Sequence, residues 1–150
     1  KNPAITTDVI AGFPGETGEE FERTRAFLEK VCFFEMHVFK YSRRKGTVAD
    51  RMDGQLTDAV KTARSAVLLA LEAKQSREYR ASYIGKEVEI LIEEQKEIGG
   101  KRWWVGHTPA YVRAAVPADE GRELSANGLC RGIVSGFLTD EIVSLNFSGK

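Results

Sequence analysis

Three glycines stand at three-residue spacing in the stretch "VIAGFPGETGEEFE", which runs from Val9 to Glu22. Glycine-rich loops between a strand and a helix often bind phosphate through their backbone N–H groups. A Walker loop also needs a lysine after its last glycine, but no lysine lies between Gly12 and Glu29. The dinucleotide fingerprint needs glycine spacings of two and three residues, which this stretch lacks. Neither kind of phosphate loop is therefore predicted here.

Carboxylates surround the start of the helix that is expected after these glycines, at positions 16, 19, 20 and 22. They complement the positive end of a helix dipole and would repel an anion. Thr17 and Glu20 have the spacing of a capping box, which predicts a helix from about Gly18. From the residues alone, the stretch is interpreted as a tight turn from a strand into a helix.

A second candidate region for chemistry is the basic segment from Lys40 to Met52. Its one acid is Asp50, and its basic residues are Lys40, Arg43, Arg44, Lys45 and Arg51, which leaves a local excess of four positive charges. Lys and Arg neutralise the phosphates of a nucleic acid, so we predict RNA contacts for this segment. A solvated loop is the alternative. Tyr41 either stacks on a base or fills the rim of the site.

Aromatic and basic residues interleave again further along the chain, at Lys101, Arg102, Trp103, Trp104, His107, Tyr111 and Arg113. Proteins that bind single-stranded RNA combine aromatic platforms with a basic groove. Neighbouring residues of a strand face opposite sides, so at least one tryptophan is expected in the core. The RNA-binding candidates are Lys101, Arg102, His107 and Arg113. His107 is not expected to bind a metal, because His37 and two distant cysteines are its only potential partners.

The composition is that of an ordinary globular protein of 150 residues, with 42% hydrophobic and 29% charged residues. Its net charge of zero gives no argument for general nucleic-acid affinity. No stretch approaches the roughly 20 apolar residues of a membrane span, and a cytoplasmic protein is expected. Cys32 and Cys130 are too few and too far apart for a disulfide framework or a zinc knuckle. Because the sequence opens on "KNPAITTDV" without a starting Met, we expect it to be a piece of a longer protein.

The elements that carry the first two regions form a predicted βαβ unit, consisting of a strand over Ala4–Ala11, a helix and a strand over Glu35–Ser42. On the helix, Phe21, Leu28 and Val31 share one face. Two strands that are joined by a helical crossover imply a parallel sheet. We therefore predict an α/β region over residues 1–55.

The rest of the chain changes its hydrophobic period. Thr57 is predicted to cap a long helix that runs through Val60, Val67 and Leu71 to about Arg80. After residue 83 the period becomes two, with Val88, Ile90 and Ile92 alternating with glutamates. Further short strands are expected at about 102–106, 111–116, 129–134 and 141–147. Five short strands predict an all-β region, a small antiparallel barrel of the OB-like kind.

Three stretches together resemble the C-terminal part of the radical S-adenosylmethionine methylthiotransferases: "ITTDVIAGFPGETGEEFERT", "MHVFKYSRRKGTVADRM" and "VGHTPAYVR". The resemblance implies part of a TIM-like barrel over 1–55, a connecting helix over 56–82 that completes it, and a TRAM domain over 83–150. The stretch "HVFKYSRRKGT" is most similar to the enzymes that act on threonylcarbamoyladenosine in tRNA. The branches acting on isopentenyladenosine or on a ribosomal protein are the alternatives.

In this family the fifth barrel strand carries a Gly-x-Ile-x-Gly-x-x-x-Glu motif that contacts the adenine of S-adenosylmethionine. The matching residues here are Asp8 to Gly12 and Glu16, with Asp8 in place of the first glycine. The resemblance implies that Ile10 packs on adenine and that Gly12 admits the cofactor. Val38 and Phe39 would add apolar or backbone contacts, although barrel core is the alternative for each.

The resemblance also implies S-adenosylmethionine and two four-iron four-sulfur clusters in the parent enzyme. The cluster motif Cys-x-x-x-Cys-x-x-Cys is absent from this sequence. We therefore expect a fragment that binds no cofactor or metal and is inactive alone, whereas its parent adds a methylthio group to an adenosine beside the anticodon.

The expected partners are the anticodon stem-loop of tRNA and the N-terminal part of the same protein. An open half-barrel exposes apolar surface, so we also expect self-association, or poor order over residues 1–55. The rival hypotheses are a stand-alone RNA-binding module and a purely structural interaction piece.

Overall fold

The computed structural model describes residues 3–119 and 124–147. Clustering of contacts divides the chain into two compact units, with the division between Ser76 and Arg77. The division falls inside a helix, and the predicted domain bounds at residues 55 and 82 stay predictions. The first unit comprises β1 (Thr6–Ala11), α1 (Gly18–Val31), β2 (Glu35–Lys40), a short 3-10 helix (Ala49–Arg51) and most of α2 (Asp58–Ala81). Neither α1 nor α2 is long and apolar enough to cross a membrane.

The predicted βαβ unit is confirmed. β1 and β2 pair in parallel, with Val9 opposite Val38 and Ile10 opposite Phe39. α1 begins at Gly18 with the expected capping box, in which the Thr17 hydroxyl accepts from the Glu20 N–H and the Glu20 carboxylate accepts from the Thr17 N–H. The buried core of this unit consists of Ala11, Phe21, Leu28, Phe33, Met36 and Leu68.

Helix α2 begins directly after Thr57, as predicted, and its buried face combines apolar and polar residues. Val60 and Val67 are 38% and 43% exposed, whereas Leu68 is buried. Gln75 is also buried, because its amide donates to the carbonyl oxygens of Leu28 and Glu29 near the end of α1, at 3.0 and 3.2 Å. Hydrogen bonding therefore allows a polar side chain to be buried on this face of the helix.

The described residues of the second unit form five strands, as expected: β3 (Glu87–Ile98), β4 (Lys101–His107), β5 (Arg113–Pro117), β6 (Leu129–Phe137) and β7 (Val143–Phe147). They form a closed barrel in the order β3-β4-β5-β7-β6. The barrel is not wholly antiparallel, since Ala114 and Ala115 of β5 pair in parallel with Val143 and Ser144 of β7. This short parallel pair closes the barrel and leaves no strand with a free edge along its whole length.

Alternation along β3 places Ile90 and Ile92 in the barrel core, where both are fully buried. The two tryptophans face opposite sides of β4. Trp104 packs against the barrel core, and Trp103 packs against a smaller cluster with Val105. Trp103 also donates its indole N–H to the Ile98 carbonyl at 3.2 Å. Both tryptophans are therefore structural in the first place.

Candidate functional site

The sheet of the first unit has one covered face and one open face. Val9 and Val38 pack against the core, whereas their neighbours Ile10 and Phe39 are 53% and 54% exposed. Because Ile10 and Phe39 are in register on adjacent strands, they form one apolar surface. The structure brings these two predicted cofactor residues together. It turns the Val38 side chain away from them, so Val38 offers the open face only its backbone.

A cavity of about 510 Å³ lies on this open face. It is lined by Ile10 and Phe39 from the strands and by Phe13, Tyr41 and Arg44 from the loops that follow them. The rings of Phe13 and Tyr41 meet edge to face at 5.3 Å. The Tyr41 hydroxyl oxygen is buried and has no hydrogen-bond partner among the described residues. An apolar cavity with aromatic walls suits a flat ring. The Tyr41 hydroxyl is buried and is not offered to a ligand in this cavity.

Glu16 holds the loop after β1 in place. Its carboxylate accepts from the Gly12 N–H at 2.9 Å and from Arg64 Nη1 at 2.5 Å. The same Arg64 nitrogen also donates to the Glu16 carbonyl oxygen at 2.8 Å. The two side chains are only 14% and 12% exposed, which makes this a partly buried, charge-assisted contact. Glu16 therefore acts on the site indirectly, by fixing the loop.

Gly12 has a local structural requirement of its own. Its φ is +78°, and a Cβ at this position would lie 2.4 Å from Lys61 Cγ. Lys61 in turn donates to the Tyr41 carbonyl oxygen at 3.4 Å. Packing of α2 on the loop is enough to explain this glycine, so its role in admitting a cofactor stays a prediction.

The basic segment carries less available charge than its composition indicates. Arg43 Nε binds Asp50 Oδ1 at 2.6 Å, and its guanidinium donates to the Asp50 carbonyl oxygen at 2.7 Å. The Arg43 hydrogen bond, followed by the Gly46 N–H, holds the pKa of Asp50 below its ordinary value. Lys40 lies 3.8 Å from Asp58. Arg44 and Lys45 are exposed and have no ion pair within the described chain.

Three of the four candidate RNA-binding residues of the barrel lie against carboxylates. Arg102 contacts Asp119 at 2.9 Å, Arg113 contacts Glu94 at 3.1 Å, and His107 Nδ1 lies 2.9 Å from Glu93. Hydrogen bonds from Lys96, and then the charge of Arg113, lower the pKa of Glu94. Lys101 is exposed and has no described ion pair.

The predicted basic groove of the barrel is also divided in space. His107 lies opposite Arg113 in the β4–β5 register. Lys101 and Arg102 lie at the other end of β4, about 20 Å away for a seven-residue strand. There they line a separate cavity of about 330 Å³ with Trp103, Pro117 and Asp119. The structure thus brings together one pair of these residues at each end of the strand.

A further groove was missed by sequence reasoning. It has a volume of about 470 Å³ and lies between β3, β6 and the turn after β4. Its apolar members are Leu91, Leu129, Pro109 and Tyr111, and its polar members are Glu89, Glu93, His107 and Thr108. The available signal was Leu91, an apolar residue among the outward-facing glutamates of β3.

Neither cysteine forms a disulfide; Cys32 is exposed and Cys130 is buried. No group of three or more His, Cys, Asp or Glu residues in the described ranges is arranged to hold a metal ion. The chain supplies two thiols in all, fewer than the three that a cluster of the expected kind requires. Such a cluster does not fit this chain's own residues.

Comparison with protein-family models finds no match. Among curated proteins, the threonylcarbamoyladenosine tRNA methylthiotransferase of Bacillus subtilis is 42% identical over 118 residues, or 78% of this chain and 26% of its own length. The protein of the same name from Thermotoga maritima is 46% identical over 90 residues, or 60% of this chain and 21% of its own length. A tRNA-2-methylthio-N(6)-dimethylallyladenosine synthase from Thermoanaerobacter is 51% identical over 90 residues, covering 60% of this chain and 19% of its own length.

The chain spans about a fifth to a quarter of the length of these relatives. Each structural unit holds about half of the 150 residues, so an alignment of 118 residues must include parts of both units. Both the α/β unit and the barrel therefore contribute to the similarity.

Proposed function

We propose that this chain, a homologue of the tRNA methylthiotransferases, is the C-terminal part of a radical S-adenosylmethionine enzyme of that family. The observation that carries the proposal is the 42% identity over 118 residues, which extends across both units. The whole enzyme would add a methylthio group to a modified adenosine of tRNA. Relatives of both nucleoside branches are similarly close, so the threonylcarbamoyladenosine substrate rests on the resemblance of "HVFKYSRRKGT".

In this proposal the open face of the α/β unit forms part of the cofactor site. S-adenosylmethionine, bound to a four-iron cluster, supplies the radical chemistry when both are present. Ile10 and Phe39 pack against the adenine ring, and the loop held by Glu16 and Arg64 sets the edge of the pocket. The cluster ligands come from residues outside this sequence, because its two cysteines are too few.

The test of this pocket uses the intact enzyme that contains the sequence. Phe39→Ala should weaken S-adenosylmethionine binding several-fold, measured by equilibrium dialysis, because it removes half of the apolar surface offered to adenine. Phe27→Ala is the matched control, since Phe27 is 60% exposed on helix α1 and does not line the cavity. Equal affinities of the two variants would refute the assigned pocket.

The barrel is proposed to bind tRNA as a TRAM domain, with support from the exposed Arg44 and Lys45 in the first unit. The 150-residue chain should bind an anticodon stem-loop without modifying it. Mass spectrometry of nucleosides from tRNA that has been treated with the intact enzyme identifies the substrate. A methylthio group on threonylcarbamoyladenosine would establish the preferred branch. Modification of isopentenyladenosine, or of a ribosomal protein instead of tRNA, would establish one of the alternatives.

A further inference from the structure

The groove on the barrel that sequence reasoning missed has an apolar floor. Leu91 and Leu129 lie directly opposite each other in the β3–β6 pair and remain 44% and 66% exposed. Pro109 and Tyr111 extend this surface to the turn after β4. A concave apolar surface with a polar rim is typical of a binding site.

Tyr111, which lines this groove, has a strained backbone conformation. Its φ is +59°, in the left-handed region that a bulky side chain rarely adopts, and the side chain is 74% exposed. The turn is fixed by Thr108, whose hydroxyl accepts from the Ala110 and Val112 N–H groups and whose carbonyl accepts from the Tyr111 N–H at 2.9 Å. Burial offers little compensation for the strained backbone. Strain of this kind at an exposed aromatic residue indicates a functional position.

The polar rim of the groove offers carboxylate oxygens as hydrogen-bond acceptors. Glu89 accepts from Arg131 Nε at 2.7 Å, and the two oxygens of Glu93 lie 2.9 and 3.0 Å from His107 Nδ1. An ionised carboxylate accepts hydrogen bonds at about four lone-pair sites, so both groups keep acceptor capacity. Their remaining acceptor sites favour a ligand that presents N–H donors at the edge of a flat apolar ring.

We propose that this groove binds one unstacked nucleobase that carries an exocyclic amino group. The ring would lie against Tyr111 over the floor of Leu91 and Leu129, and the amino group would donate to Glu89 or Glu93. Carboxylates accept from the amino group of cytosine in this way, and adenine and guanine carry amino groups too, whereas uracil has none. The proposal rests on the proposed function in tRNA binding and assigns that function a specific base-reading surface.

The experiment measures binding of the 150-residue chain to five-nucleotide RNAs by fluorescence anisotropy. The RNAs are all uridine except at the central position, which is uridine, cytidine, adenosine or guanosine. The three with an amino group should bind more tightly than the uridine pentamer. Glu93→Gln, which exchanges one acceptor oxygen for a donor, should reduce the preference for cytidine over uridine.

Tyr111→Gly is the decisive variant, because glycine accepts the backbone conformation without strain. It should weaken binding of the amino-bearing RNAs by about 5- to 150-fold, the range for removal of an aromatic stacking platform, without lowering the unfolding temperature. Tyr111→Phe should retain the affinity. Ile133→Ala is the matched control, because Ile133 is exposed on β6 but does not line the groove.

Two results separate the failure of this proposal from the failure of the proposed function. Equal affinity for all four pentamers, together with an unchanged Tyr111→Gly, would overturn the base site even if the anticodon stem-loop still binds. No binding of the pentamers or of the stem-loop would overturn the RNA-binding function as well. If Tyr111→Gly instead abolishes self-association in sedimentation and leaves RNA affinity unchanged, the groove is a protein contact and the proposal is wrong.

Discussion

The β-barrel and the α/β unit bury their strands to different extents. In the barrel, five strands close on themselves around fully buried residues such as Ile92 and Leu145. In the described part of the α/β unit, two strands pair, and one face of that sheet leaves Ile10 and Phe39 exposed. Parallel sheets in known folds are normally covered on both faces. The barrel therefore pairs its strands with one another and buries their inner faces. The α/β unit instead presents an apolar surface that suits a ligand or further protein.

Both units contain paired basic residues, and both leave some unpaired among the described residues, Lys101 in the barrel and Arg44 and Lys45 in the α/β unit. The barrel neutralises Arg102, Arg113 and Arg131 with carboxylates on its own strands and turns. The basic segment of the α/β unit leaves Arg44 and Lys45 without ion pairs among the described residues. Under the proposed function, the two units would contact a nucleic acid by different means, through phosphates at the α/β unit and through bases at the barrel. The expected self-association of the open sheet stays a prediction.

The largest effect is expected in the core of the α/β unit. Leu68→Ala should lower its free energy of unfolding by about 2–5 kcal/mol, because Leu68 is 1% exposed and its removal leaves a cavity. Denaturant unfolding followed by circular dichroism at the helix band measures the change. Tryptophan fluorescence reports the barrel alone, since both tryptophans lie there. A parallel shift of both signals would show that the units unfold together, and Leu69→Ala, at a 49% exposed position, is the control.

A substitution in the barrel tests whether the barrel unfolds independently of the α/β unit. A Cβ at Gly106 would lie 1.9 Å from the Leu91 carbonyl oxygen, which is backbone and cannot move aside cheaply. Gly106→Ala should therefore cost at the upper end of the about 1–3 kcal/mol of an overpacked core. Its tryptophan unfolding curve should shift while the helical signal changes little. Gly136→Ala, where a Cβ meets nothing within 4 Å, should be close to neutral.

The difference in available charge predicts different salt dependences of RNA binding. Replacing Arg44 and Lys45 with glutamine should reduce the slope of log affinity against log salt by about 0.7–0.9 per residue. Replacing Arg102 and Arg113 should change the slope less, because each already has a carboxylate partner. The anticodon stem-loop is the ligand, titrated at several salt concentrations. Equal slopes for the two double variants would contradict the proposed division of charge.

The smallest effect is a pH dependence of the basic segment. The pKa of Asp50 is lowered in the folded protein, chiefly by Arg43, so its stabilising contribution is complete above the ordinary value of 3.8. The contribution is lost as the pH falls through the lowered folded pKa. Amide exchange at Gly46, whose N–H donates to Asp50 at 3.1 Å, should therefore rise under these acidic conditions relative to the rest of the unit. Asp50→Asn should raise it already at neutral pH, whereas Asp53→Asn should not.

Much of the fold could be predicted from local pattern. The capping box at Thr17 and Glu20 depends on residues three positions apart, and the alternation of Val88, Ile90 and Ile92 depends on residues two apart. Both were correct. The burial of Gln75 on α2 could not be predicted from the hydrophobic pattern, because it depends on hydrogen bonds to distant residues near the end of α1.

The sequence indicated which types of residue the candidate sites contain, but not how those residues are arranged in space. Ile10 and Phe39 were named from the family resemblance, and the β1–β2 register of the structure places them side by side. The neutralisation of Arg113 by Glu94 and the meeting of Leu91 with Leu129 depend on the register of the barrel strands. The β3–β4 register is also shifted by a bulge between Ile92 and Glu94. A shift of one residue exchanges the inner and outer faces of a strand, so these contacts were beyond any local rule.

The sequence by itself determined the order of the elements, the two kinds of core and the types of residue available for binding, because these depend on short-range periodicity and composition. Tertiary structure alone decided which charges are free, which aromatic residues are exposed and how Glu16 meets Arg64 across 48 positions. The physical reason is that ion pairing and burial depend on neighbours that are distant in sequence. Those neighbours are fixed only when the strands have taken their register and the helix has packed on its sheet.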